Sequence, residues 1–193
     1  MAAKAEPWQT AEVPGPKKAM VITNPRIVTA LIRRSKNPVL IVGSMAPRIK
    51  LSGGDLVDYA IRIAEAAGMP IVSSPSVLGE FLNRGFRRVL SMPVVDIANR
   101  LTDADWKGVE NKGQHDLAIF MGFKYHVCWL ILSGLKHYSQ NLKTVSLEMR
   151  YQPHALWSFP NISEEEWEKN LNEIIKEFKQ DKMILNKVKE VKE

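Results

Sequence analysis

One cysteine, Cys128, stands in the whole of this 193-residue chain. An internal disulfide is therefore impossible, and an iron–sulfur cluster held by several local thiolates is excluded. A cytoplasmic setting is the natural expectation. Histidine is scarce as well. His115, His126, His137 and His154 form no His-x-x-x-His pair, and no Cys-x-x-Cys joins them, so no metal motif is visible. A Gly-x-Ser-x-Gly elbow is also missing, which removes the usual signature of a serine hydrolase. His126 and Cys128 lie two residues apart, on different sides of any helix, and make a poor catalytic pair. Cys128 reads as a buried apolar thiol.

Long apolar runs are absent too. The amino terminus has no uninterrupted signal-peptide core. Tyr125–Leu135 is apolar but shorter than the roughly 20 residues of a membrane span, so it is expected to be a buried helix, and no membrane partner is expected. The net charge of +6 is not gathered on one face: Lys17-Lys18, Arg33-Arg34 and Arg87-Arg88 are scattered, and the Lys-rich end is diluted by Glu. That pattern argues against a nucleic-acid partner. Hydrophobic residues at 45% and charged residues at 25% are ordinary for a globular protein, and the length suits one domain.

What the chain does contain is four short apolar runs, each ending at a small, aromatic or acidic residue. Pro38–Val42 leads to Gly43 and Ser44. Met69–Val72 leads to Ser73 and Ser74. Asp116–Met121 leads to Gly122 and Phe123, and Lys143–Leu147 to Glu148. Runs of this kind read as parallel strands buried on both faces. Helical patterns lie between them, which makes the fold class α/β, with a doubly wound, mainly parallel Rossmann-like sheet. Such sheets take ligands at the carboxyl ends of their strands. The candidate crevice residues are therefore Gly43, Ser44, Ser73, Ser74, Gly122, Phe123 and Glu148.

Three segments organise the chain. Residues 1–23, with Pro7, Pro14, Gly15 and Pro16, read as an extended arm that carries Trp8. Residues 24–180 read as a single domain. Residues 181–193 are a charged tail or helix extension. Within the domain, Asn24-Pro25 starts a helix that Asn37-Pro38 stops. Gly53-Gly54-Asp55 opens a second helix, which Gly68 ends. Further helices are predicted from about Ser76 to Gly85, over Pro93–Leu101 and over Tyr125–Tyr138. A last one follows the capping box at Ser163–Glu166. Thr102–Gln114 is a long polar loop around Trp106, of a length often used for contact.

Each candidate has a competing reading. Gly43-Ser44-Met45-Ala46-Pro47 lacks the Gly-x-Gly-x-x-Gly spacing and the Gly-Lys-Ser/Thr ending of phosphate loops, so a tight turn explains Gly43 equally well. Ser73, Ser74 and Ser76 are better read as helix caps than as phosphate ligands. Glu148 suits a ribose hydroxyl, or an ion pair with Arg150 or Lys124. Trp129 is expected in the core. Trp106 and Trp157 lie in irregular segments and are candidate partner contacts.

Several segments together carry a resemblance. Pro38-Val-Leu-Ile-Val-Gly43, Leu101-Thr-Asp-Ala-Asp-Trp-Lys-Gly108, Gly113-Gln-His-Asp-Leu-Ala-Ile-Phe-Met-Gly-Phe-Lys124 and Ala155-Leu-Trp-Ser-Phe-Pro-Asn161 resemble the epsilon subunit family of the archaeal carbon monoxide dehydrogenase/acetyl-CoA synthase complex, also called acetyl-CoA decarbonylase/synthase. The likeness runs from about Pro7 to Phe178. It implies a fold of the deoxyhypusine-synthase-like NAD/FAD-binding type. It also implies an accessory, non-catalytic role beside a large alpha subunit that carries the nickel–iron–sulfur chemistry, in an alpha2-epsilon2 component. In that role the chain would stabilise alpha or help electrons reach FAD. Carried over by position, the seven crevice residues would line a cofactor site, with FAD expected ahead of NAD, although the residues by themselves name no cofactor. The rival readings are a stand-alone FAD- or NAD-binding protein or oxidoreductase, and an NAD-dependent enzyme such as a protein deacylase, whose zinc cysteines are missing here. A two-fold self-contact is the default expectation from symmetry.

Overall fold

Pro38–Val42 is a run of apolar residues with three β-branched members, flanked by turn chemistry, and it forms the interior strand β2 of a seven-stranded sheet. The computed structural model describes residues 18–139 and 141–190, with 181–190 as backbone only. In chain order the strands are β1 (Met20–Val21), β2, β3 (Lys50–Leu51), β4 (Gly54–Asp55), β5 (Ile71–Ser73), β6 (Val89–Ser91), β7 (Leu117–Met121), β8 (Lys143–Ser146) and β9 (Trp157–Ser158). The helices are α1 (Arg26–Arg34), α2 (Leu56–Ala67), α3 (Leu78–Asn83), α4 (Val94–Thr102), α5 (Tyr125–Tyr138) and α6 (Glu164–Glu190). The large sheet runs β1-β9-β8-β7-β2-β5-β6, and every pairing in it is parallel. β3 and β4 form a separate antiparallel hairpin.

Strand alternation divides the core in two. Leu40 and Val42 of β2, with Leu117, Ile119 and Met121 of β7, join the layer of α1, α2, α3 and α6. Val39, Ile41, Ala118 and Phe120 face the layer of α4 and α5. The doubly wound α/β architecture is therefore present, with four helices on one face and two on the other among the described residues.

Local chemistry sets the helix ends. Asp55 caps α2 through its side chain, Asp58 returns the bond to the Asp55 N–H, and Gly68 closes the helix in the left-handed conformation. The Asn24 side chain accepts the Arg26 N–H at 2.9 Å, and the Ser163 hydroxyl accepts the Glu166 N–H at 3.2 Å. α6 continues as helical backbone to Glu190, so much of the charged tail extends the helix. Trp8 lies outside the described residues. The end of the expected arm does not stand away from the domain, because β1 within it pairs with β9 at the sheet edge.

Asp116, just before β7, organises the amino ends of the two central strands. It accepts from the Ser35 hydroxyl at 2.5 Å, the Lys36 N–H at 2.8 Å and the Asn37 N–H at 2.9 Å. Burial pushes the Asp116 carboxyl up, but these donors outweigh it and hold the pKa below its ordinary value. Asp116→Ala is expected to cost roughly 2–3 kcal/mol of stability, since three donors lose an ionised acceptor. Urea unfolding of the variant beside its parent checks this.

The Trp106 loop sits at the same amino-terminal edge, opposite the strand ends that carry the candidate crevice. His115 bonds the Asn37 carbonyl through Nδ1 at 2.8 Å and accepts the Val109 N–H on Nε2 at 3.0 Å. Arg88 pairs with Glu110. Trp106 is half-buried against this network, 5.4 Å from the His115 ring centroid. Trp106 thus packs on its own domain through this network and keeps part of its surface exposed. Trp157 likewise packs on the core as part of β9. Trp129 stands edge-on to His154 at 4.5 Å.

The helix α5 has the predicted bounds but not the predicted burial. It buries Cys128, Leu132 and Leu135 while Tyr125, Leu130 and Tyr138 face outward. The sequence suggested a wholly buried helix because the residues are apolar all round. Among the described residues only two helices lie on this side of the sheet, and none of them covers the outer flank of α5. Among the described residues no helix is long and apolar enough to cross a membrane.

Candidate functional site

Strand order reverses between β2 and β7, which is where a doubly wound sheet opens its usual crevice. Here the protein fills that place itself. The Gly43 N–H donates to the Met121 carbonyl at 2.9 Å, and the Met45 N–H to the Gly122 carbonyl at 2.9 Å. A side chain at Gly43 would collide with the Gly122 carbonyl oxygen and lie 2.6 Å from the Phe123 ring. Gly122 has φ +77°, a left-handed geometry that favours glycine. Both glycines are thus explained by the approach of two loops, with Phe123 lying over the first.

The serines are arranged differently from expectation. Ser73 is buried, and its hydroxyl has no hydrogen-bond partner among the described residues. Ser74 is half-buried and Ser76 exposed. No side chain caps the turn at Pro75–Val77 or the start of α3, so the capping reading of Ser73, Ser74 and Ser76 is not met. A Pro-fixed turn already sets the chain direction there. Ser44 is exposed beside the filled switch point.

An open cleft of about 330 Å³ lies beside the β7 and β8 ends. Phe123 and Glu148 line it, and the other five sequence candidates do not. Its remaining walls come from Arg48 and Ile49 before β3 and Lys50 at its start, from Tyr125 at the start of α5, from Met149, Arg150 and Gln152 after β8, and from Glu164 and Trp167 of α6. Arg48 and Arg150 have no ion-pair or hydrogen-bond partner among the described residues, whereas Lys50 pairs with Asp55 at 3.3 Å. Arg48, Arg150 and Gln152 escaped the sequence reading because they end no apolar run. The distance from Arg48 to Arg150 along the chain is closed only by tertiary folding.

Glu148 is buried at the floor. Its Oε1 accepts the Phe123 N–H at 2.8 Å, and the alternative ion pair with Arg150 or Lys124 is not formed among the described residues. Burial pushes its carboxyl up to about 8, against the opposing pull of the Phe123 and Gly122 backbone N–H groups. Burial, and after it the Glu148 charge, also pushes the Cys128 thiol well above its ordinary value, so it is a poor nucleophile. Gln152 is fully buried; its Nε2 donates to the Tyr125 carbonyl at 3.2 Å and its Oε1 has no partner among the described residues. Nearby His154 is buried with both ring nitrogens unpartnered among the described residues, and burial first, then Lys136 and His137, push it down to about 4.

The raised Glu148 pKa sets a pH dependence. Between its unfolded value near 4.5 and about 8 the folded chain keeps a proton that the unfolded chain has lost. This contribution is therefore full below about pH 4.5 and is lost as pH rises through 8. Glu148→Gln is expected to remove that slope. Relative to its parent, the variant should gain on the order of 3 kcal/mol between pH 5 and pH 8.5, at about 1.4 kcal/mol per pKa unit. Urea unfolding of both proteins at the two pH values checks this, and the comparison cancels the opposite slope from His154.

Comparison with known proteins gives consistent matches over most of the chain. A family profile described as CO dehydrogenase beta subunit/acetyl-CoA synthase epsilon subunit matches residues 1–175. The acetyl-CoA decarbonylase/synthase complex subunit epsilon of Methanothermobacter thermautotrophicus is 32% identical over 173 residues, covering 89% of this chain and 95% of the relative. The subunit epsilon 1 of Archaeoglobus fulgidus is 30% identical over 162 residues, covering 83% and 84%. The epsilon subunit of Methanothrix soehngenii is 30% identical over 158 residues, covering 81% of each chain.

Proposed function

This chain belongs to the CO dehydrogenase beta subunit/acetyl-CoA synthase epsilon subunit family, and we propose that it is a non-catalytic subunit of an acetyl-CoA decarbonylase/synthase complex, docked on the large alpha subunit. The observation that carries this reading is the near full-length match to relatives named as epsilon subunits. The chemistry of CO then belongs to alpha, and this chain contributes surface and stability.

One face supports docking. Leu130, Tyr138 and Val95 are 61%, 75% and 57% exposed, and they border an apolar groove of about 440 Å³ between α4 and α5. Apolar side chains concentrated around a groove mark interaction surfaces. The expected assembly holds equal numbers of the two subunits, as alpha2-epsilon2. Co-purification from native cells without oxygen tests it: a nickel-bearing partner identified as alpha by mass spectrometry supports the reading, and recovery of this chain alone contradicts it.

A second role rests on the cleft beside Phe123 and Glu148: easing the passage of electrons from alpha to FAD. The overall reaction balances as CO, water and FAD giving CO2 and FADH2. The rate of CO-dependent FAD reduction by alpha, with and without this chain, tests it.

A further inference from the structure

We propose that the cleft beside β7 and β8 binds a phosphorylated ring compound of mononucleotide size, with its phosphate between Arg48 and Arg150 at the start of α5 and a ring donor on Gln152 Oε1. The site lies one strand away from the usual switch point, because Phe123 covers Gly43 there. It deepens the FAD reading above and is independent of docking.

Three features converge on this ligand chemistry. The first is charge. Arg48 and Arg150 approach from different segments and are unpartnered among the described residues, while Lys50 at the rim is already paired with Asp55. Guanidinium groups match phosphate oxygens in pairs of hydrogen bonds. The second is the fourteen-residue helix α5, whose first turn no side chain caps and whose first residue, Tyr125, lines the cleft. The positive end of a helix favours an anion there. The third observation stands apart from charge. Gln152 is fully buried with its carboxamide fixed by the Tyr125 carbonyl, which leaves Oε1 as an acceptor without a donor among the described residues. A buried acceptor left in this state costs roughly 1–3 kcal/mol, which a ligand N–H would offset. Inorganic phosphate held between the two guanidinium groups carries no ring N–H to extend to Gln152, whereas a nucleotide with a nucleobase or flavin ring does.

The apolar walls and the size complete the fit. Phe123, Tyr125 and Met149 offer flat and flexible apolar surface for a ring. A volume of about 330 Å³ is at the small end of ligand pockets, suited to one nucleotide unit and not two. A dinucleotide such as FAD would then place only one of its halves within this chain.

Titration calorimetry of the full chain with AMP, FMN and inorganic phosphate tests the proposal. AMP or FMN should bind saturably with a dissociation constant below about 1 mM, and inorganic phosphate at least about tenfold more weakly. Arg48→Ala and Arg150→Ala should each weaken the bound nucleotide about tenfold or more, with unchanged melting, while Arg100→Ala on α4 leaves affinity as it was. Three results would each overturn it: no saturable heat from AMP or FMN, unaltered affinity in the Arg48 and Arg150 variants, or phosphate binding as tightly as the nucleotides. FAD reduction that still responds to the chain when AMP and FMN fail to bind would sink this site while leaving the electron-transfer reading intact.

Discussion

Leu130→Asp combined with Tyr138→Asp is expected to weaken association with the alpha subunit by a hundredfold or more while leaving the fold intact. The two residues lie eight apart on α5 with Gly134 between them, so they form one stripe along the helix. A side chain added at Gly134 would meet nothing within 4 Å, and this keeps the groove against α4 open. Both residues are largely exposed in the isolated chain, and surface changes of this kind usually alter stability by about 0.5 kcal/mol or less. At a packed interface the same charges are desolvated without partners, at about 2 kcal/mol or more each, and each 1.4 kcal/mol is tenfold in affinity. Calorimetric titration against alpha, with thermal melting of the variant alone, separates the two effects. Association equal to that of the parent would show that alpha docks elsewhere.

Gly43→Ala carries the largest expected loss of stability, roughly 3 kcal/mol or more. The added methyl meets the backbone of Gly122 and the ring of Phe123, and Gly122 is itself fixed in a left-handed conformation against Ala46. Neither obstacle is the loose end of a flexible side chain. Gly79→Ala is the control: that glycine lies in α3 with open space around it, so alanine there is neutral or gains about 0.5–1 kcal/mol from helix propensity. Thermal and urea unfolding of both variants give the comparison. A stable Gly43→Ala protein would mean that the glycine serves the approach of a ligand and not the contact of two loops.

Much of the fold was legible in the sequence, for a physical reason. β2 and β7 are five-residue apolar runs with both faces buried, and α2 is bracketed by Asp55 and Gly68, whose chemistry admits few other readings. β1, β6 and β9 are two or three residues long, too short for any periodicity, and they exist because a neighbouring strand offers its edge. The exposed stripe of α5 was hidden because residues apolar all round do not reveal which side lacks a neighbour. At the site, Phe123 and Glu148 were legible as strand ends. Arg48, Arg150 and Gln152 were not, since the cleft arises where the β2–β3 connection, the α5 start and the chain after β8 meet. Gly43 was read in the right place, but only the Phe123 ring over it explains why no side chain is tolerated.

The central claim, that this chain works as the partner of a large subunit, is tested most directly by mixing it with purified alpha under anoxic conditions and measuring mass by light scattering on a sizing column. One species holding equal numbers of both chains, at micromolar concentration, is the predicted result. Two separate peaks with the masses of the free proteins would contradict it.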